Sequence, residues 1–187
     1  MKAKLLALLT FTLLLTACAN TPSHLIVTPD IVTTPNLAYD NKYAQLDIVD
    51  MRTASHIVQI LREGKAATVI SAEHSLEEII QEALSTQWQK QGLNIASVAN
   101  NTIKITIEKA VISVDQKMMN YNSQSEIVLK VQINNGQQTL TSTFKNRGNS
   151  EGPLKADIAV LERNFNQRLT SLLTEILATP KINDFIK

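Results

Sequence analysis

The chain is poor in the residues from which catalytic and nucleotide-binding sites are built. It has one cysteine, three histidines and five glycines among 187 residues. It contains no G-x-S-x-G, Walker or G-x-G-x-x-G sequence. His24, His56 and His74 show no metal-ligand spacing, and no acidic cluster accompanies them. The sequence therefore predicts a protein without metal, without cofactor and without enzyme activity.

Excess charge and repeated apolar segments are also lacking. Lysine and arginine number 18 against 17 acidic residues, which leaves a net charge of +1 and no electrostatic basis for nucleic acid binding. No long apolar run recurs after residue 18, so no membrane-spanning helix is predicted there. The length is sufficient for one domain with its own hydrophobic core.

The first residues are organised like an export signal. Lys2 and Lys4 give a positive start, and the eleven residues from Leu5 to Leu15 are apolar except for two threonines. Eleven helical residues extend about 16 Å, roughly half of a bilayer core, so this segment is too short to span it. Cys18 follows at the end of the apolar segment.

The sequence Leu15-Thr16-Ala17-Cys18 resembles the bacterial lipobox. The resemblance implies cleavage between Ala17 and Cys18, a diacylglycerol on the Cys18 sulfur and acylation of the new amino terminus. Each buried methylene contributes about 0.8 kcal/mol, so three acyl chains would hold the protein on a membrane permanently. Ala19 follows the cysteine, where the sorting rule of enteric-type bacteria requires Asp for retention at the inner membrane. The implied address is the periplasmic face of the outer membrane.

We expect three parts: a cleaved signal peptide at 1–17, a lipidated and flexible tether at 18–42, and a single periplasmic α+β domain at 43–187. The tether is expected because this part is rich in proline and polar residues.

The apolar pattern of the domain predicts a mostly antiparallel sheet of six or seven strands, with two main helices packed on one face as a two-layer sandwich. One helix is expected to start after Ser75 in a capping box and to stop near Gly92, with Trp88 in the core or at the domain edge. The other is expected from Leu154 to Ile176, and a short helical turn from Lys181 to Lys187.

Two local features are predicted within the strands. The apolar residues change phase between Ile107 and Ala110, which predicts a β-bulge near 108–111. Asn135-Gly136 predicts a two-residue hairpin turn that pairs Val131 with Leu140 and Ile127 with Phe144, and residues 147–153 are predicted to form a turn.

Two polar groups are candidates for partner contact. Asp50 and Arg52 face the same way on a strand, so they form either an ion pair at the strand end or a contact site at the sheet rim. Lys130 and Thr141 lie on the polar face of the hairpin, which is either an ordinary solvated face or a surface that hydrogen-bonds sugars or a partner's backbone.

The chain also resembles the YajG family of small bacterial lipoproteins over nearly its full length. The resemblance rests on the box ending at Cys18, Thr28-Pro29, the helix 76–84, the strand 121–133 and the ending 183–187. It implies an uncharacterised lipoprotein with no established enzyme activity.

Two functions remain open from the sequence. The first is a non-enzymatic binding or structural role in the envelope, with an envelope protein or peptidoglycan as partner and the membrane contacted through Cys18. The alternative is an envelope hydrolase acting on peptidoglycan fragments. Its candidate acids are Asp47, Asp50 and Glu108, two of which would have to face each other about 5 to 9.5 Å apart.

Overall fold

The computed structural model describes residues 23–32, 38–39 and 41–186. The expected signal peptide and the lipidation site at Cys18 lie outside them. No helix in this part is long and apolar enough to cross a membrane. The described residues form eight strands and three helices: β1 His24–Leu25, β2 Tyr43–Asp50, β3 Val58–Arg62, β4 Lys65–Ala72, α1 Leu76–Lys90, β5 Asn94–Ile95, β6 Asn101–Gln116, β7 Asn120–Asn134, β8 Thr139–Pro153, α2 Ile158–Ala178 and α3 Pro180–Ile186.

The sheet is mixed and curled into a half-barrel around β6. β7 runs antiparallel along one edge of β6, and β8 runs antiparallel to β7. β2 and β3 follow one another along the other edge of β6, both parallel to it. Four of the seven strand pairings are parallel, so the expected mostly antiparallel sheet of six or seven strands is wrong in orientation and number. The alternation of apolar and polar residues shows which face of a strand is buried, but not whether the neighbouring strand runs parallel or antiparallel to it.

The predicted bulge is confirmed in the middle of β6. The pairing with β7 shifts between Ile107 and Lys109, so that Ile107 pairs with Leu129 and Lys109 with Val128. Odd-numbered apolar residues are buried before the shift and even-numbered ones after it. Glu108 and Lys109 are both exposed, because the extra residue turns two successive side chains away from the core.

The β7–β8 hairpin keeps its predicted faces but not its predicted register. Ile133 pairs with Leu140 and Leu129 with Phe144, two residues from the expected pairs. The turn closes between Asn135 and Gln138: the Asn135 N–H donates to the Gln138 carbonyl at 3.2 Å, and the Gln138 N–H donates to Asn135 Oδ1 at 2.9 Å. A shift of two residues leaves every side chain on the same face. A turn was predicted for residues 147–153, but β8 continues through them. They pair with β7 as far as Asn120, which lies opposite Pro153.

The helices begin and end at recognisable signals. The Ser75 side chain accepts the N–H of Glu78 at 3.2 Å, and Gly92 has a φ of 87°, as the predicted start and stop of α1 require. α2 begins at Ile158 rather than Leu154, because the Asp157 carboxylate caps the Ala159 N–H. Both helices contribute to one core on the inner face of the sheet, in which Trp88 is fully buried.

The segment 23–32, expected as flexible tether, packs on this domain. Leu25, Val27 and Ile31 are buried in the core. Its intervening backbone N–H groups, of Ile26, Thr28 and Asp30, donate to side chains of α2 at Glu162, Asn166 and Thr170. An extended segment is stable here because alternate side chains find the core while helix side chains accept its N–H groups. The folded domain therefore begins before residue 43.

Candidate binding surface

The ion pair between Asp50 and Arg52 lies at the end of β2 and is directed inward. Arg52 Nη2 lies 2.7 Å from Asp50 Oδ2, and Nε donates to both carboxylate oxygens at 2.9 and 3.1 Å. Nη1 reaches the carbonyl of Ala110, just past the bulge, at 3.2 Å. The guanidinium thus joins the end of β2 to the bulged part of β6.

Both side chains of this ion pair are largely buried. The Arg52 side chain is 7% exposed and that of Asp50 is 18% exposed. Burial would raise the pKa of Asp50, but the hydrogen bonds and the charge of Arg52 outweigh it and lower the pKa below its usual value. The guanidinium is directed at groups of its own domain, so the two candidates form an ion pair within the fold. Both also line a cavity of about 220 Å³ next to the start of α1.

We expect the Asp50 carboxylate to make the free energy of unfolding depend on pH in the acidic range. Because the pKa of Asp50 is lower in the folded than in the unfolded chain, its contribution is complete above the unfolded pKa of about 3.9 and is lost as the pH falls through the folded value. Urea unfolding of wild type and Asp50→Asn at pH 7 and at pH 2.5 measures it. The difference in unfolding free energy should shrink at the lower pH, and a difference that stays constant would contradict the assignment.

The opposite face of the sheet is open and polar. We call it the outer sheet face: the side chains of β3, β6, β7 and β8 that point away from the core. Its centre is Glu126, which Arg147 Nε contacts at 2.6 Å and Lys109 contacts from the bulge. Hydrogen bonds from Lys109 and Arg147 lower the pKa of Glu126, so it is ionised at neutral pH. Beside this triad lies a shallow cavity of about 430 Å³, whose further lining includes Gln59, Ser113, Gln124, Ser125 and Asn149.

The remaining two sequence candidates also lie on the outer sheet face. Lys130 pairs with Glu108 at 3.4 Å, next to the triad. Thr141 is exposed and lies opposite Gln132 on β7. The structure thus brings Lys130 and Thr141 to one surface and separates both from Asp50, which faces inward.

The sequence interpretation overlooked Lys109 and Arg147 as members of this surface. Lys109 was hidden because its direction depends on the bulge, which also determines the partner of Glu108. Arg147 was assigned to a turn, whereas β8 carries it directly opposite Glu126. The phase change at Ile107 was the available signal for Lys109.

The three candidate acids of a hydrolase do not come together. Asp47 and Asp50 are an odd number of residues apart on β2, so they lie on opposite faces of the sheet. Asp47 pairs with Lys104, which puts Glu108 four residues further along β6, about 13 Å away. Asp50 is held by Arg52, and Glu108 by Lys130.

The three histidines also remain apart from any such site. No cluster of three or more potential metal ligands occurs in the described ranges 23–32, 38–39 and 41–186. His74 lines a cavity of about 730 Å³ between α1 and the segment 27–31, whose acidic lining residues are Asp30, Glu78 and Glu82.

Comparison with solved structures found several that are similar to this chain. Protein XCC0632 from Xanthomonas campestris is 15% identical, with a TM-score of 0.58 over 86% of this chain and 96% of its own, which shows a common fold. A neuraminyllactose-binding hemagglutinin homolog from Helicobacter pylori is 9% identical, with a TM-score of 0.48 over 87% of this chain and 96% of its own. Rare lipoprotein B from Shewanella oneidensis is 10% identical, with a TM-score of 0.39 over 75% and 98%.

A search of the curated proteins found no match. A protein-family model described as "Uncharacterized lipoprotein", Lipoprotein_16, matches residues 29–187, which include all of the sheet except β1 and all three helices. The chain therefore belongs to this family of uncharacterized lipoproteins.

Proposed function

We propose that this chain is a non-enzymatic binding protein, anchored by lipid to the periplasmic face of the outer membrane, and that the outer sheet face is its contact surface. Membership in a lipoprotein family implies a lipid anchor. Within that family we propose the YajG group, on the residues that resemble it. The box ending at Cys18 and the Ala19 that follows it support the outer-membrane address.

The observation that carries the proposal is the asymmetry of the sheet. Its inner face is covered by the helices and contributes to one continuous core, whereas its outer face is left open. Five charged residues on that face form ion pairs with their neighbours: Glu108, Lys109, Glu126, Lys130 and Arg147. A surface ordered before binding loses little conformational entropy when a partner arrives.

The chemistry of this face favours a polar partner. The cavity beside Glu126 is lined by amide and hydroxyl side chains together with Lys109 and Arg147. Protein interfaces are centred on aromatic and large apolar anchors, whereas the described lining contains one apolar side chain, Val111, and no aromatic one. Hydroxyl, amide and carboxylate groups, as in the glycan and stem peptides of peptidoglycan, suit such donors and acceptors better. We therefore favour peptidoglycan over an envelope protein.

Photo-crosslinking in living cells tests the contact surface. A photoreactive residue at Gln124 or Lys130 on the outer sheet face is expected to give one recurrent adduct, which muramidase digestion and mass spectrometry should identify as a muropeptide. The same residue at Gln167, exposed on α2, is the matched control and should give none. Equal yields from both surfaces, or no adduct from the sheet, would refute the proposal. A recurrent protein adduct would keep the surface and replace the partner.

A further inference from the structure

Three apolar side chains project at one end of the sheet. Met118 is 93% exposed, Met119 is 70% exposed and Leu154 is 63% exposed. The two methionines form the turn between β6 and β7, and the leucine directly follows β8. The backbone N–H of Leu154 donates to the Met119 carbonyl at 2.8 Å, so the three belong to one structure. We call this group the apolar tip.

A buried glutamine holds the apolar tip in place. Gln116 is 8% exposed, and its amide nitrogen donates to the carbonyls of Lys117, Asn120 and Leu154, at 2.8 to 3.2 Å. Its amide oxygen accepts the N–H of Ala156 at 2.9 Å. One side chain thus joins the turn to the start of the connection into α2. The exposed side chains stand on a backbone that is fixed from inside.

The backbone at Leu154 is also strained. Its φ is 61°, in the left-handed region that side-chain-bearing residues rarely adopt. Strain of this kind persists only where the surroundings enforce it, and it marks functional positions often enough to justify a hypothesis. Here it accompanies a large apolar side chain that is turned toward solvent rather than into the core.

The first described residues, followed backward to Ser23, run toward this same end. β1 is parallel to β4, with His24 opposite Ser71 and Leu25 opposite Ala72, so β1 followed backward is directed toward the Lys65 end of β4. That end is the β3–β4 turn, and Leu61 just before it pairs with Asp115, close to the Met118 turn. Followed backward along the chain, β1 is therefore directed toward the end of the sheet that carries the apolar tip.

A second set of contacts gives the same direction independently. Ile26, Thr28 and Asp30 donate to side chains at successively later positions of α2, from Glu162 to Thr170. Followed backward, the segment runs toward the start of α2, which lies four residues after Leu154.

Only four residues, Ala19 to Pro22, separate Ser23 from Cys18, and a fully extended chain from Cys18 to Ser23 spans roughly 17 Å. We propose that the apolar tip lies against the lipid surface that holds the acyl chains of Cys18, with the methionines and Leu154 inserted at the headgroup level. The inference rests on the proposed lipid anchor. The domain would then stand on the membrane with the β6–β7 turn down and the β7–β8 turn away from it.

The charges around the apolar tip indicate what kind of lipid surface it fits. Within residues 115–119 and 153–157, which carry the apolar side chains, Lys117 and Lys155 are balanced by Asp115 and Asp157. A patch without net charge gains little from anionic lipid, so its contact depends on apolar insertion. Zwitterionic phosphatidylethanolamine is a sufficient surface, and added salt should leave the contact unchanged.

Fluorescence quenching in vesicles tests the orientation. Cys18 is the only cysteine and is blocked when lipidated, so a single new cysteine can carry an environment-sensitive fluorophore. The lipidated mature protein is purified as Met118→Cys and, as matched control, as Gln137→Cys in the turn at the far end of β7, about 45 Å away. Each is reconstituted into phosphatidylethanolamine vesicles with and without acyl-chain-brominated lipid.

We expect bromine to reduce the emission of the Met118→Cys probe by about twofold, because an inserted tip reaches the acyl boundary, and to leave the Gln137→Cys probe unchanged. Flotation of the same vesicles separates the two hypotheses. Protein that does not float contradicts the anchor itself. Protein that floats with an unquenched Met118→Cys probe, or with both probes quenched alike, overturns the tip contact. A probe quenched only when anionic lipid is present would also overturn the proposed apolar mode.

Discussion

Replacing Arg52 by alanine is expected to lower the free energy of unfolding by about 3 kcal/mol. The substitution leaves the Asp50 carboxylate, which is 18% exposed, without the charge that offsets its burial. It also removes the donor to the Ala110 carbonyl beside the bulge of β6. Loss of one partner of a buried pair is costly because the other charge stays behind.

Equilibrium urea unfolding followed by circular dichroism measures the change. Arg163→Ala, on the exposed side of α2, is the matched control and should change the unfolding free energy by less than about 0.5 kcal/mol. A loss for Arg52→Ala no larger than for the control would show that the pair behaves as an ordinary surface ion pair.

The double variant Asp50→Leu/Arg52→Met distinguishes the cost of an unpaired Asp50 charge from the cost of losing the hydrogen bond to the Ala110 carbonyl. With both charges gone, no group is left buried and unpaired, so much of the lost stability should return. A double variant as unstable as Arg52→Ala would instead assign the loss to the hydrogen bond at Ala110. Either result concerns the inward-facing junction of β2 and β6, and neither tests the side chains of the outer sheet face.

The parts of the fold that the sequence predicted are local. The cap at Ser75, the positive φ at Gly92 and the bulge after Ile107 each depend on a few neighbouring residues. The parallel pairing of β2 and β3 with β6 depends on chain that is far away in sequence. Parallel strands need a long crossover connection. Between β2 and β6 the β3–β4 pair and α1 provide it, and the alternation of apolar residues within a strand gives no sign of it.

The candidate surface was predictable only in part, for the same reason. The polar faces of β7 and β8 could be read from alternation, so Lys130 and Thr141 were found. The ion pairs of Glu126 could not, because they require the register of three strands and the direction of Lys109 at the bulge. The inward position of Arg52 also depends on a carbonyl of β6 that sequence spacing does not reveal.

Replacing Cys18 by serine is expected to abolish both cleavage and lipidation. The resemblance of Leu15-Thr16-Ala17-Cys18 to a lipobox makes the thiol the acceptor of the diacylglycerol, and cleavage follows acylation. Intact mass spectrometry of envelope fractions should show a wild-type chain that begins at Cys18 and carries three acyl chains. The serine variant should keep residues 1–17, carry no lipid and remain with the inner membrane through its apolar segment.

Ala19→Asp is the matched variant for this experiment. It leaves the acceptor thiol intact, so its mass should show the same three acyl chains, but by the sorting rule it should move from the outer to the inner membrane. A wild-type chain without acyl groups would refute the anchor and, with it, the lipid contact of the apolar tip. An acylated chain that stays in the outer membrane in both forms would keep the anchor and remove Ala19 as the reason for its address. Because only four residues join Cys18 to Ser23, the domain must stay close to whichever membrane receives the lipid.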